Sequence, residues 1–190
     1  MIIGKRIFLD LIGLENREFS ETRLKRFLDW LNPDDVLKYI RIPHFVVTKT
    51  DKPHNPNARN QPSKSSSSSS GRSLERPNHC QIIFHHLRTM KPNAVSTILD
   101  VAVDDMSGKR SPYTNETIIT CLQSFKENIE KWDWRKIDMC SDAVFAAAPN
   151  AKDLYLYSSG NNAVLKSWAS LDGLPKFSNV SWILKFLKIL

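Results

Sequence analysis

The chain has 190 residues, of which 41% are hydrophobic and 25% charged, with a formal net charge of +7. These values are typical of a globular protein with one sizeable core or two small ones. No apolar run reaches the roughly 20 residues that a membrane-spanning helix needs, and the N-terminal stretch MIIGKRIFLDLIG carries charges inside its apolar residues. The sequence therefore argues against a membrane protein and against a secretory signal peptide.

The three cysteines, Cys80, Cys121 and Cys140, are an odd number without CxxC spacing. Such a set does not form a disulfide framework and favours a reducing compartment. We therefore expect an intracellular, cytoplasmic protein.

Most of the positive charge lies in one segment, residues 49–79. This segment holds six Lys and Arg residues against two acidic ones, a net +4 of the total +7. It also contains an unbroken serine run and several prolines, with almost nothing apolar, so it predicts a disordered linker. The linker separates an N-terminal part (1–48) from a C-terminal part (80–190), which we interpret as parts of the same structure. The rest of the chain is nearly balanced in charge, which does not indicate a folded nucleic-acid-binding face.

Extended stretches and amphipathic helices alternate on both sides of the linker. Extended structure is predicted at 6–14, 36–47, 95–105, 129–138, 153–159 and 180–190. Helices are predicted at 21–31, 81–90, 116–125, 142–148 and 162–171, with Ser20, Thr114 or Asn115, and Ser141 as candidate N-caps. This alternation favours the α/β class with a parallel sheet.

The extended stretches share an apolar pattern. Leu37-xx-Ile40-x-Ile42 and Ile129-xx-Trp132-x-Trp134 match each other position by position. The aligned anchors recur every 20 to 30 residues or so once the linker is subtracted, which predicts a leucine-rich-repeat-like strand–helix solenoid with a parallel sheet. The anchors are Leu9, Ile40, Leu99, Trp132, Leu154 and, more weakly, Leu184.

In this alignment Trp132 and Trp134 point to the same side of a strand and are predicted to be core; an exposed aromatic pair is the alternative. The residues between the anchors then line an open sheet face, in a row formed by Asp10, Arg41, Asp100, Asp133, Tyr155 and Lys185. Both charge signs and an aromatic ring alternate along this row, which suits protein–protein recognition better than phosphate binding. The predicted protein-binding residues are Arg41, Asp100, Asp133, Arg135 and Tyr155.

Three groups of residues carry side chains that take part in metal binding or catalysis in other proteins. The run HCQIIFHHL places His79, Cys80, His85 and His86 close together, but their spacing matches no zinc pattern. Asp104-Asp105 ends a strand without a phosphate-binding glycine loop. Ser158 and Ser159 lie outside a G-x-S-x-G motif and have no evident base. The sequence therefore predicts no catalytic residue, no metal site, no cofactor and no enzyme activity.

Several ordered runs resemble a segment that precedes the catalytic domain in large subtilisin-like serine peptidases of filamentous fungi. They are DWRKID, AAPNAKDLYLY, SGNNAVLKSW, LDGL and, earlier, LKYIRIP and ILDVAVDD. The resemblance covers about residues 8–174 and includes none of the Asp, His and Ser motifs of the peptidase domain. It implies a non-catalytic recognition or regulatory module with a protein partner, and a chain that is a fragment of a longer one. The alternative is a nucleic-acid-associated protein that uses the basic linker.

Overall fold

A computed structural model describes residues 7–15, 17–31, 35–48, 78–92, 94–106, 111–177 and 180–186. Residues 49–77 of the predicted linker lie outside this part of the chain. Its last two residues are the N-cap and the first residue of a helix: the Asn78 side chain accepts hydrogen bonds from the amides of Cys80 and Gln81, and the helix begins at His79.

The described residues form eight strands and five α-helices. In chain order they are β1 (Ile7–Asp10), β2 (Glu18–Ser20), α1 (Glu21–Leu31), β3 (Val36–Ile42), β4 (Val46–Thr48), α2 (His79–Thr89), β5 (Thr97–Asp104), α3 (Asn115–Leu122), β6 (Lys131–Arg135), α4 (Ser141–Ala147), β7 (Asp153–Ser158), α5 (Asn162–Ala169) and β8 (Ser181–Phe186). The fold is mixed α/β, as the alternation predicted.

The main sheet has six strands in the order β1-β3-β5-β6-β7-β8, and each neighbouring pair is parallel. A parallel pair requires a crossover connection, and the helices supply it between successive strands. Strands β2 and β4 form a separate two-stranded parallel sheet that was not predicted. The single extended stretch expected at 36–47 is interrupted at Pro43, which has no N–H to donate to a ladder.

Side-chain hydrogen bonds mark two of the predicted helix starts. Ser20 Oγ accepts from the Arg23 amide at 3.2 Å, and Thr114 Oγ1 accepts from the Thr117 amide at 3.2 Å. Each satisfies one of the free N–H groups of a first helical turn. Ser141 is the first residue of α4 and not its cap.

The core lies between the helices and one face of the main sheet. Trp132 and Trp134 are 0% and 1% exposed, with ring centroids 5.8 Å apart and planes 25° from parallel. The prediction that they are core is therefore confirmed. They occupy the same face as Ile40 and Ile42 on β3, which are fully buried.

Two anchors were wrong. Val101, and not Leu99, pairs with both Ile40 and Trp132. At the start of β5, Ile98 is buried and Leu99 is partly exposed. The buried residues of this strand repeat the spacing of Leu37-xx-Ile40, so buried and exposed positions do not alternate strictly. On β8 the residue that pairs with Leu154 is Trp182, so Leu184 lies two positions beyond the anchor.

Candidate functional site

The face of the main sheet that points away from the helices carries the candidate site, and we call it the open face. Strand register aligns its side chains in rungs that cross the sheet. The first rung is Phe8, Tyr39, Asp100, Lys131 and Asp153; the second is Asp10, Arg41, Ala102 and Asp133; the third is Asp104 and Arg135. Tyr155 follows Asp153 on β7. Most of these side chains are partly exposed.

The five predicted binding residues all lie on this face, but on different rungs. Arg41 and Asp133 share the second rung, whereas Asp100 lies in the first and Arg135 in the third. The predicted row placed Asp100 between Arg41 and Asp133, and this was wrong because the anchor of β5 was displaced by two residues. Ala102 occupies that position. The position of Lys185 in the row is also shifted, because the anchor of β8 was displaced by two residues and Lys185 pairs with Tyr157.

Three side chains of the open face hold one another in place through a hydrogen bond and an ion pair. The Tyr157 hydroxyl donates to Asp133 Oδ1 at 2.5 Å, and Arg135 Nη2 lies 3.6 Å from Asp133 Oδ2. Burial and this hydrogen bond raise the pKa of Tyr157 well above its ordinary value. Burial alone would lower the pKa of Arg135, but the neighbouring Asp133 carboxylate raises it. Both side chains therefore keep their protons at neutral pH.

Polar groups in the middle of the open face are not paired in this way. Within the described chain, the Tyr39 hydroxyl, the Arg41 guanidinium and the Asp100 carboxylate make no hydrogen bond or ion pair. Burial raises the pKa of Tyr39 and of Asp100, although Arg41 opposes the first shift and Lys131 the second. A ligand that forms a hydrogen bond with one of these groups gains about 0.5–1.5 kcal/mol from it.

Aromatic rings support two lysines of this face. Lys131 Nζ lies 5.1 Å from the centroid of Tyr155, and Lys38 Nζ lies 5.8 Å from the centroid of Phe8. Phe8 itself is 61% exposed at the edge of the sheet. Exposed aromatic rings among charged side chains are typical of the central residues of protein interfaces.

The open face is close to neutral, although the whole chain carries +7. Its rungs hold five aspartates (Asp10, Asp100, Asp104, Asp133 and Asp153) and three cations (Arg41, Lys131 and Arg135). Lys38 adds one cation, and Lys185 of β8, opposite Tyr157, adds another, so the charges of this face balance. A surface without net positive charge does not attract a phosphate backbone.

A second polar group, whose contacts the sequence did not indicate, lies where β5 and β6 end. Asp105 accepts a hydrogen bond from Trp134 Nε1 at 3.0 Å and from the Tyr113 amide at 3.0 Å. Burial raises the pKa of Asp105 to about 6, against the opposing effect of these two hydrogen bonds. The buried indole N–H of Trp134 needed an acceptor, which is the signal that could have pointed to this contact.

Tyr113 is fixed by two further contacts. Lys136 Nζ donates to the Tyr113 carbonyl at 2.6 Å and to Asn115 Oδ1 at 2.8 Å. The Tyr113 hydroxyl lies 2.7 Å from Nδ1 of His79, which is 2% exposed. Asp105 and His79, which both belong to runs that the sequence offered for chemistry, thus attach the segment before α3 to the sheet and to α2.

The two serines of the YSSG run are hydrogen-bonded to an aspartate. Asp138, whose φ is 54°, accepts hydrogen bonds from the Ser159 amide at 3.0 Å, from the Ser159 hydroxyl and from Ser158 Oγ at 3.4 Å. Ser158 is fully buried, and its Oγ accepts from the Gly160 amide at 3.0 Å. These contacts shape a turn after β7, and neither serine has a histidine beside it among the described hydrogen bonds.

Two searches for other kinds of site gave no result in the described ranges. No cluster of three or more His, Cys, Asp or Glu side chains there is arranged to hold a metal ion. No helix in the described part combines the length and apolar character that crossing a bilayer requires.

Comparison with known proteins identifies no family for this chain. The chain matches no protein-family model, no curated protein and no solved structure. The resemblance to the N-terminal region of fungal subtilisin-like peptidases stays a prediction, and the functional argument rests on the open face.

Proposed function

We propose that this chain is a non-catalytic protein-recognition module, built as a leucine-rich-repeat-like solenoid, that binds a partner protein on its open face. In this proposal it corresponds to the N-terminal accessory region of a subtilisin-like serine protease. The regular strand–helix order supports the architecture, since each strand of the main sheet lies beside the next main-sheet strand along the chain. Sheets built in this way present one continuous surface to a ligand.

The observation that carries the function is the set of partly buried polar groups at the centre of the open face that make no direct hydrogen bond. Tyr39, Arg41 and Asp100 make no hydrogen bond or close ion pair within the described chain. The Tyr39 ring lies 6.5 Å from the Phe8 ring, and Lys131 and Lys38 attract the Asp100 carboxylate. The three groups are flanked by aromatic rings and by the preformed Asp133–Arg135 pair. This arrangement offers hydrogen bonds and apolar contact together, as protein interfaces do.

Selection from a library of random displayed peptides tests the proposal with the full chain as bait. We expect the selected peptides to lose at least about tenfold in affinity when Tyr39 or Tyr155 is replaced by alanine, since removing an interface aromatic costs more than ~1.4 kcal/mol. Trp30→Ala is the matched control, because Trp30 is an aromatic residue 80% exposed on α1 and away from the open face. Peptides that depend on Trp30 and not on the tyrosines, or the absence of any selected peptide, would contradict the proposal.

The alternative function, association with nucleic acid through the basic linker, predicts a different dependence. Deleting residues 49–77 would then abolish salt-sensitive binding to nucleic acid. Our proposal predicts that the deletion leaves peptide affinity within about twofold, because the peptides contact the open face.

A fluorophosphonate probe tests the part of the proposal that says the chain is not catalytic. Such probes react with activated serine nucleophiles, which need an adjacent base. We expect no labelling of Ser158 or Ser159, because both are hydrogen-bonded to Asp138 and Ser158 is fully buried. Mass spectrometry after incubation, with an active serine hydrolase as positive control, gives the answer. Stoichiometric labelling of either serine would show that the chain is an enzyme.

A further inference from the structure

A groove runs along the outer surface of α2, on the helix side of the molecule and opposite the open face. Helix α2 packs against α1 on one side and against α3 on the other. Its exposed residues Gln81, His85 and Arg88 follow one another at i, i+4 and i+7, so they lie on one line of the helix. Together with side chains of α1 and α3 they line a cavity of about 350 Å³, which we call the α2 groove. This volume lies within the range of small-molecule sites.

The bottom of the α2 groove is apolar. Phe84, Cys121 and Phe125 line it and are buried, and Ile82 beside them is partly exposed. The ring centroids of Phe84 and Phe125 lie 6.2 Å apart. Burial raises the pKa of the Cys121 thiol to about 12, so the thiol is neutral and adds no charge. An aromatic ring or a short apolar chain placed here would remove apolar surface from water on both sides of the contact.

The rim of the α2 groove carries a positive charge that the described chain does not compensate. Lys25 Nζ lies 2.7 Å from Glu21 Oε1, so these two charges compensate each other. The Arg88 guanidinium donates to the Ser124 hydroxyl and has no carboxylate within ion-pair distance among the described residues. The exposed ring of His85 lies one turn before it on the same line of α2. A guanidinium is the donor that matches a carboxylate with two parallel hydrogen bonds.

We propose that the α2 groove binds a small apolar carboxylate, with the carboxylate on Arg88 and the ring or chain on the apolar bottom. This ligand site goes beyond the proposed function, because it lies on the other side of the molecule. A dianion such as a phosphate ester fits the groove less well, since Glu21 lines it and one guanidinium is left uncompensated. A neutral apolar molecule would cover the bottom and leave that guanidinium without an ion pair.

Two probes of the same shape and different charge test this inference. 2-Naphthoate is a rigid aromatic carboxylate, and 2-naphthamide has the same ring system without the charge. Each is titrated into the full chain and followed by ligand-observed NMR. We expect saturable binding of the naphthoate with a Kd of about 1 mM or below, as the usual efficiency per atom gives for about a dozen heavy atoms. The amide should bind at least about tenfold more weakly, because it cannot form the charged pair.

Two pairs of substitutions locate the site. Arg88→Met keeps an unbranched apolar stem and removes the charge, so naphthoate affinity should fall at least about tenfold. Arg26→Met should change it less than about twofold, because Arg26 is exposed on α1 and does not line the groove. Thr120→Trp places a ring in the groove from an exposed position of α3 and should abolish binding. Gln123→Trp is its matched control, since Gln123 is also exposed and lies outside the lining.

The results separate this inference from the proposed function. Tyr39→Ala should leave naphthoate affinity within about twofold, because Tyr39 lies on the open face. Naphthoate that shows no saturable binding, an amide that binds as tightly as the acid, or an affinity unchanged in Arg88→Met would overturn the ligand site and leave the recognition function standing. Naphthoate binding that Arg88→Met and Thr120→Trp weaken and Tyr39→Ala does not would support the ligand site, whatever the peptide selection shows.

Discussion

Replacing Trp132 with alanine is expected to lower the free energy of unfolding by about 3–5 kcal/mol, because the change removes a fully buried indole and leaves a cavity in a closely packed core. Trp132 is 0% exposed and stacks against Trp134. Chemical denaturation followed by circular dichroism measures the loss. The matched control is Trp30→Ala, whose indole is 80% exposed, and we expect it to change stability by no more than about 0.5 kcal/mol.

Phenylalanine substitutions distinguish the roles of the two indoles. Trp134 Nε1 donates to Asp105, whereas Trp132 Nε1 is buried without an acceptor among the described residues. Trp134→Phe should therefore cost about 1–3 kcal/mol more than Trp132→Phe, since only the former leaves a buried acceptor without its donor. Equal losses for the two variants, or a loss on Trp30→Ala as large as that on Trp132→Ala, would contradict the described packing.

Asp105 is expected to make stability depend on pH. Burial raises its pKa from the ordinary 3.8 to about 6, so between these values the folded chain holds a proton that the unfolded chain has released. The free energy of unfolding should therefore fall as pH rises from about 4 to about 6, by up to about 3 kcal/mol. Asp105→Asn should remove this part of the pH dependence, as urea unfolding at a series of pH values can show.

Trp134→Phe serves as a second test of the same group. The indole hydrogen bond lowers the pKa of Asp105, so its removal should move the fall in stability to higher pH. Asp105→Ala should destabilise the protein by about 2–3 kcal/mol at neutral pH, because the Trp134 indole and the Tyr113 amide lose their acceptor. An Asp105→Asn protein that keeps the wild-type slope between pH 4 and 6 would show that another group titrates there.

The strands could be predicted from sequence where the apolar pattern admits one register. Leu37-xx-Ile40-x-Ile42 and Ile129-xx-Trp132-x-Trp134 gave the correct inward faces, because a polar or charged residue separates the last two apolar ones. The run TILDVAVD has two adjacent apolar residues, Ile98 and Leu99, so it fits the pattern beginning at either of them. Only its pairing with β3 and β6 selects Val101 as the anchor.

The same ambiguity explains what was missed at the candidate site. The five predicted residues reach the open face because outward positions alternate with inward ones. Their arrangement in rungs depends on register, and a displaced anchor put Asp100 where the chain has Ala102. Asp105 and Tyr113 come together only through folding, because no local pattern connects a strand end with a segment eight residues later.

Hydroxyl-radical footprinting of the full chain measures most directly whether the sheet turns Trp132 and Trp134 inward and leaves Tyr39 and Tyr155 accessible to a partner. A one-residue slip in register would exchange these two faces. We predict rapid oxidation of Trp30, measurable oxidation of the partly exposed Tyr39 and Tyr155, and strong protection of both core tryptophans until the protein unfolds. Oxidation of Trp132 and Trp134 at the rate of Trp30 in the folded protein, with both tyrosines protected, would contradict the account.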